Sequence, residues 1–406
     1  LIMYVMVILP TILWLGAKAV NNLTGLELIP AMILLGGLSL AYSLYGGLKA
    51  VALTDVIQVV LLIFGGLFVT YKGLDLLSEG NGLFEGFMIL QNEFPEKFDA
   101  ILSYAPKEVD PEAYANYIKL PGIWVLIGGM WIAHFYYWGT NQYITQRALG
   151  GKSLDEAQNG LMFAGFLKIF MPIVVVLPGL IAVALEANGT INLAGDRSNA
   201  YPSMLNLLPE GIKGLTFAAL VAAIVSSLAS LSNSVSTIFT MDIYRKDQDI
   251  NDISLVKIGR IAGFVGLVTS IIVAPIFLGS LDSAFQYVQE YMGLFSPVIL
   301  FVFLSAIFLK NSTTRSVLEG SFVALALGVI LKLYVANNPG SAIEPFMHQM
   351  AISFLAAFLV NYFRSPQTTN EKVFKLTRAD FVTSKLFNVG SIAILVILGG
   401  IYSFYW

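Results

Sequence analysis

Hydroxyl groups crowd one apolar stretch, FAALVAAIVSSLASLSNSVSTIFT, where Ser226, Ser227, Ser230, Ser232, Ser234, Ser236 and Thr237 fall within about three helical turns. Neutral oxygens suit a hard monovalent cation. The Ser226–Ser227 pair and the Ala223 carbonyl one turn earlier offer three of them on one helix. Sodium is the ion such a set fits, with a neighbouring broken helix supplying the remaining oxygens. Small residues also let helices approach closely, and packing alone accounts for most of the run. Asp55, in GGLKAVALTDVIQ, adds an acid that can attract or release a cation, or simply stabilise a helix N-terminus.

A second group has the chemistry of a polar-solute site. In WIAHFYYWGTNQYITQR, the residues His134, Tyr137, Trp138 and Asn141 share one stripe at helical spacing. Flat rings stack on the C–H face of a sugar while amide, phenol and imidazole tips meet its hydroxyls. An aromatic belt at the membrane interface is the plainer alternative, above all for Trp138. Lys168, in FAGFLKIFMPIVVV, lies about ten residues into an apolar run, where a charge costs about 3 kcal/mol. It either faces a ligand or snorkels along its stem to a helix-end carbonyl. Gln286, Gln289 and Glu290 open another span among aromatics; Gln289 is a candidate solute ligand and Glu290 equally an interfacial charge.

The elements that position these residues are membrane helices. Apolar residues make up 57% of the 406, and charged residues only 12%, more apolar surface than one soluble core can hide. Stretches long enough to cross the hydrocarbon layer occur at about 1–20, 27–48, 51–73, 120–146, 158–186, 212–240, 253–279, 281–309, 316–336, 344–364 and 386–406. This predicts eleven spans in an all-α integral membrane protein. Basic residues then favour alternate loops, including Lys49, Arg147, Lys152, Arg245, Lys246, Lys310, Arg315, Arg364, Lys372, Lys375, Arg378 and Lys385 on the side expected to be cytoplasmic. The acidic segment 74–119 falls outside. Leu1 begins inside an apolar run with no charged region before it, so no signal peptide is expected, and preceding helices are expected to lie outside this sequence.

Other chemistries are excluded. A net charge of −3 gives no footprint for nucleic acid, and the absence of cysteine removes disulfides, thiolate metal sites and cysteine nucleophiles. No nucleotide loop, metal-ligand spacing or catalytic triad is present in the sequence, so an enzyme is not expected.

The motifs SLYGGLKAVALTDVIQ, LPGIWVLIGGMWIAHFYYWGTNQYITQR, FLKIF, FAALVAAIVSSLASLSNSVSTIFTMDIYR and AFQYVQEYMGLFSP together resemble the sodium/solute symporter family, most closely its sodium–glucose (sodium–galactose) branch. The similarity runs in order along the chain. It implies an inverted five-plus-five helix repeat with a broken first helix in each half and a midplane substrate site. Residues 1–73 then correspond to core helices three to five, 120–309 to the complete second repeat, and 316–406 to peripheral helices. The first two core helices, which carry sugar ligands and part of the sodium shell in the family, are expected to be missing from this chain. The resemblance assigns Ala223, Ser226 and Ser227 to sodium, Lys168 and Gln289 to sugar, Tyr137 to closure of the site from the cytoplasmic side, and Asp55 to the sodium exit route. His134 stands where bacterial galactose transporters of this kind carry asparagine, which leaves the identity of the sugar open. The implied partners are sodium, a small sugar-like solute and the lipid bilayer. The implied process is symport by alternating access in a plasma membrane, the inner one if bacterial. An amino acid, organic acid, vitamin or polyol cargo, or a solute-gated channel or sensor, is the alternative.

Overall fold

The computed structural model describes residues 1–120, 122–245, 251–279, 284–365, 377 and 381–406, with the backbone alone at 44–52, 125–126, 252 and 284–286. Lys246, Lys372, Lys375 and Arg378 lie outside the described residues, as do the side chains of Lys49 and Gln286.

Among the described residues the chain is helical, with no strand. The first half contains α1 Leu9–Thr24, α2 Leu28–Leu77, α3 Leu83–Glu93, α4 Pro111–Lys119, α5 Gly122–Ile127, α6 Gly129–Phe135, α7 Gln142–Leu149 and α8 Leu154–Ile169. The second contains α9 Leu177–Ala187, α10 Ala200–Asn206, α11 Glu210–Thr237, α12 Asp252–Leu278, α13 Ala284–Phe308, α14 Thr314–Asn337, α15 Phe346–Arg364 and α16 Lys385–Phe404. Wider π-helical turns occur at Tyr4–Ile8, Tyr136–Thr140, Pro172–Val176 and Ile238–Tyr244.

Among the described residues, eight helices are long and apolar enough to cross a membrane, ten if each of two bent pairs crosses as one, and Leu28–Ser43 is a shorter apolar helix. Length and composition thus leave the expected count of eleven unfixed.

Two compact units are present, Leu1–Phe98 with Ala164–Val288, and Asp99–Phe163 with Gln289–Trp406. Compact units report contact, whereas inverted repeats report symmetry, so this division does not decide where the expected repeats begin and end.

In the first unit, α11 is the central element and α2 runs along it in both directions. A Cβ at Gly16 would lie 2.9 Å from Ile224 and 3.0 Å from Leu35, and the Ser43 hydroxyl donates to Asn233 Oδ1 at 2.7 Å. Position along α11 therefore rises as α2 proceeds. Further on it falls, since Asp55 meets Ser226 and Gly65 faces Thr216. Chain direction reverses between Ser43 and Asp55, as two separate spans, 27–48 and 51–73, require. The hydroxyls of Tyr42 and Thr54 hydrogen-bond across the reversal.

At the far end of α2 a packed cluster of Val69, Leu74, Leu90, Ile181, Leu185 and Leu205 joins α2, α3, α9 and α10. Lys18 of α1 pairs with Asp196 in the loop before α10. Burial alone would raise the Asp196 carboxyl, but the hydrogen bonds from Lys18 and the Ser198 N–H outweigh it and hold the group below its ordinary pKa.

In the second unit, α6 and α15 meet backbone to backbone. A Cβ on Gly129 would lie 2.3 Å from the Met347 carbonyl oxygen, a contact that no rotamer change can relieve. Phe301, Ala324 and Ala357 pack α13, α14 and α15 together. Asn361 accepts from Ser316 at 2.7 Å and donates to Ser312 at 2.9 Å, while Thr313 and Ser316 form a capping box that starts α14. Ser384 caps α16 through the Phe387 N–H and donates to Asn159.

Because Gly129 opens the helix that carries His134, we expect Gly129→Ala to destabilise the protein by about 1–3 kcal/mol. Thermal unfolding of the purified protein checks this, and an unchanged melting temperature would count against the close approach.

Candidate cation and solute sites

The cation candidates all lie in the first unit. Ser226 faces inward on α11, 2% exposed, and its hydroxyl donates to Asp55 Oδ1. Ala223 and Ser227 are half-buried on the same helix. No spacing along the chain pairs Asp55 with Ser226, 171 residues apart. Their contact sets a carboxylate beside the Ser226 oxygen, and oxygens are the donors a hard cation prefers.

The solute candidates divide between the units, with Lys168 in the first and His134, Tyr137, Trp138, Asn141 and Gln289 in the second. The expected span over 120–146 contains a break. Segments Pro111–Trp124 and Gly129–Thr140 are bent by 79°, with Gly128 at the break, where φ is −111° and ψ is −112°. Adjacent glycines, Gly128 and Gly129, permit that break because neither carries a side chain to clash.

The stripe is changed as well. A π-helical turn at Tyr136–Thr140 shifts the helical register, and Asn141 leaves the helix in an extended conformation. His134 is exposed, Tyr137 half-buried and Trp138 41% exposed; the Tyr137 and Trp138 rings meet edge to face at 5.2 Å.

Asn141 is buried and caps α7, its Oδ1 accepting from the Tyr143 N–H at 3.2 Å. Capping explains an asparagine here without a ligand.

Lys168 sits in the last turn of α8, where helix-end carbonyls favour a cation. Pro172 offers no N–H to the Lys168 carbonyl, and the chain bends by 43° between α8 and the helical segment Pro172–Ala187. Gln289 is half-buried near the start of α13. Beside it, Glu290 pairs with Lys332 at 3.3 Å, and the Lys332 ammonium lies 4.0 Å from the Tyr291 ring centroid.

Two features escaped the sequence reading. Asn233, bonded to Ser43, and Thr240, buried in the turn that follows α11, lie further along the hydroxyl-rich helix. The signal for Thr240 was present, since Ser232, Ser236 and Thr240 repeat every four residues on one face.

A broken helix, a serine hydroxyl bonded to an acid and neighbouring rings with polar tips suit ion-coupled transport. The sequence pattern of the Sodium:solute symporter family matches residues 1–328. The chain belongs to the sodium:solute symporter family.

Within that family it is 40% identical over 422 residues to the sodium/glucose cotransporter of Vibrio parahaemolyticus, covering 100% of this chain and 75% of that protein. Sodium/glucose cotransporter 1 of Ovis aries is 28% identical, over 85% of this chain and 55% of that protein. The solved structure of a Na+-coupled sialic acid symporter, in a substrate-bound outward-open state, aligns with a TM-score of 0.71 at 21% identity. That alignment covers 91% of this chain and 73% of the other. The fold is therefore the all-α inverted-repeat transporter fold of a multi-pass membrane protein, and sodium is the family's coupling ion.

Proposed function

We propose that this chain imports a monosaccharide such as galactose or glucose together with sodium, by alternating access across the plasma membrane. What carries the reading is the 40% identity, along the whole chain, to a protein named for sodium and glucose. The Ser226–Asp55 contact supports it from the side of the ion.

In this mechanism sodium settles among Ala223 O, Ser226 Oγ and Ser227 Oγ, meeting the Ser226 lone pairs while its O–H is donated to Asp55, and favours the outward-open state. The sugar then binds, with Lys168 and Gln289 meeting its hydroxyls and Tyr137 closing the inner side. His134 and Trp138 shape the cargo's ring face, and Asn141 holds the helix start that follows them. After the transition, Asp55 receives the departing cation.

No covalent step is required, and the protein acts as a transporter without enzymatic turnover. One sodium ion gains about 2.3 kcal/mol per 100 mV and about 1.4 kcal/mol per tenfold gradient. At one-to-one coupling that concentrates a neutral sugar by roughly a few hundredfold.

His134 favours a second cargo within the same mechanism. An imidazole in place of the expected asparagine carries a different donor geometry, which a polyol with a different hydroxyl pattern can match.

Uptake of radiolabelled galactose, glucose and myo-inositol into proteoliposomes containing the full-length protein decides between them. We expect accumulation of galactose or glucose under an inward sodium gradient and its loss when potassium replaces sodium. Uptake that ignores the gradient would leave a channel or sensor. Sodium-driven uptake of myo-inositol alone would move the cargo while keeping the coupling.

A further inference from the structure

The bend after α8 leaves one backbone carbonyl that its own helix does not serve. In the π-helical turn Pro172–Val176 the Leu177 N–H is given to Pro172 O, five residues back, rather than to Ile173 O as in an α-helix. In that wider register Ile173 O would take the N–H of residue 178, and Pro178 has none. Within a membrane a carbonyl freed in this way must find its donor elsewhere in the protein.

The donor comes from α2. Thr70, 5% exposed, sets its hydroxyl 2.6 Å from Ile173 O, 103 residues away in sequence. Gly66, one turn earlier on α2, lets the two segments approach. A Cβ there would lie 2.3 Å from Val174 Cγ1 and 3.1 Å from Val174 O. Val174 is buried, so the turn is seated on α2 through Gly66 and Thr70 together. The Thr70 hydroxyl also lies 3.0 Å from Gly66 O in its own helix, and its single proton serves either acceptor. Letting go of Ile173 therefore does not strand the donor.

The bend matters for what it carries. Lys168 lies four residues before Pro172, in the last turn of α8, and the 43° between α8 and Pro172–Ala187 sets where that last turn points. Packing against Val174 is served by any side chain of threonine's shape, whereas a carbonyl without a donor is served only by a hydroxyl.

We propose that Thr70 is a positioning residue: its hydroxyl holds the π register at Pro172–Val176, and through that bend it sets where Lys168 stands. The effect on the solute rests on the reading of Lys168 as a sugar ligand, and the effect on the bend does not.

The experiment uses the full-length protein in lipid nanodiscs, spin-labelled at Leu161→Cys and Val183→Cys on a cysteine-free background, one exposed position on each side of the bend. Thr70→Val keeps the shape and removes the hydroxyl, and we expect it to shift or broaden the label-to-label distance distribution. Thr70→Ser keeps the hydroxyl and should retain the wild-type distribution. Adding Pro178→Ala to Thr70→Val supplies the missing N–H and should bring the distribution back toward wild type, a rescue that lost packing would not show. In proteoliposomes, Thr70→Val should raise half-saturation for galactose about fivefold, with sodium half-saturation within about twofold of wild type. On a Lys168→Met background it should cost no further galactose affinity, because it acts through that residue. A Thr70-dependent distribution in a protein that takes up no galactose, or whose galactose affinity ignores both Thr70→Val and Lys168→Met, would support the latch and fail the reading it rests on. Should Thr70→Val fail to fold, recovery of folding by Pro178→Ala supports the latch and its absence overturns it. Identical distributions for wild type and Thr70→Val, or the same change in Thr70→Val and Thr70→Ser, would overturn the proposal.

Discussion

Ser227→Ala is expected to raise the sodium concentration for half-maximal uptake about tenfold, equivalent to about 1.4 kcal/mol of lost ion binding. Ser227 is the cleaner target of the serine pair. Ser226 donates to Asp55, so removing its hydroxyl both deletes an oxygen from the proposed shell and releases a carboxylate that can itself attract the ion. Those two effects oppose each other, and Ser226→Ala should therefore shift sodium affinity less than its burial suggests. Ser227 is half-buried and its removal deletes an oxygen alone. At saturating sodium, sugar affinity should stay within about twofold of wild type, because a lost ion ligand acts on the equilibrium that precedes sugar binding. Uptake measured across a sodium series reads both quantities. A Ser227→Ala protein with wild-type sodium dependence would remove this helix face from the ion site, leaving its hydroxyls to packing.

The sequence made some of these features legible and hid others for identifiable reasons. Hydropathy located the membrane helices because lipid demands long apolar runs. It also separated 27–48 from 51–73, and the reversal of chain direction between Ser43 and Asp55 agrees with that division. What hydropathy could not register is a break inside an apolar run. The region 120–146 reads as one span, yet it bends at Gly128, and only the glycine pair marks the place. Asn141 stood in the stripe by spacing, but it lies in the extended residue before α7, where a cap is favoured. The Ser226–Asp55 and Ser43–Asn233 bonds join residues 171 and 190 apart, a kind of information that periodicity along one chain does not contain. Lys168 was legible as a buried-charge problem, and Pro172, four residues on, was the visible sign of the bend beside it.

Lys168→Met offers the second large effect, and its strength is that the two explanations of Lys168 move stability and affinity in different directions. A lysine within a span costs about 3 kcal/mol of insertion, so replacing it with an unbranched apolar side chain of similar length should leave thermal stability unchanged or raise it. If the ammonium meets sugar hydroxyls, the same change removes charge-assisted hydrogen bonds worth about 1.5–3 kcal/mol, and half-saturation for sugar should rise at least tenfold. Sodium dependence at saturating sugar should change little, since Lys168 supplies no oxygen to the ion. If the ammonium instead serves the carbonyls at the end of α8, the order reverses. Lys168→Met would then lower the melting temperature by loosening the 43° bend, while sugar affinity in the surviving folded fraction would stay near wild type. Thermal unfolding and sugar saturation measured on one preparation therefore separate a ligand from a strut. A fall in stability with intact affinity would strike Lys168 from the solute site.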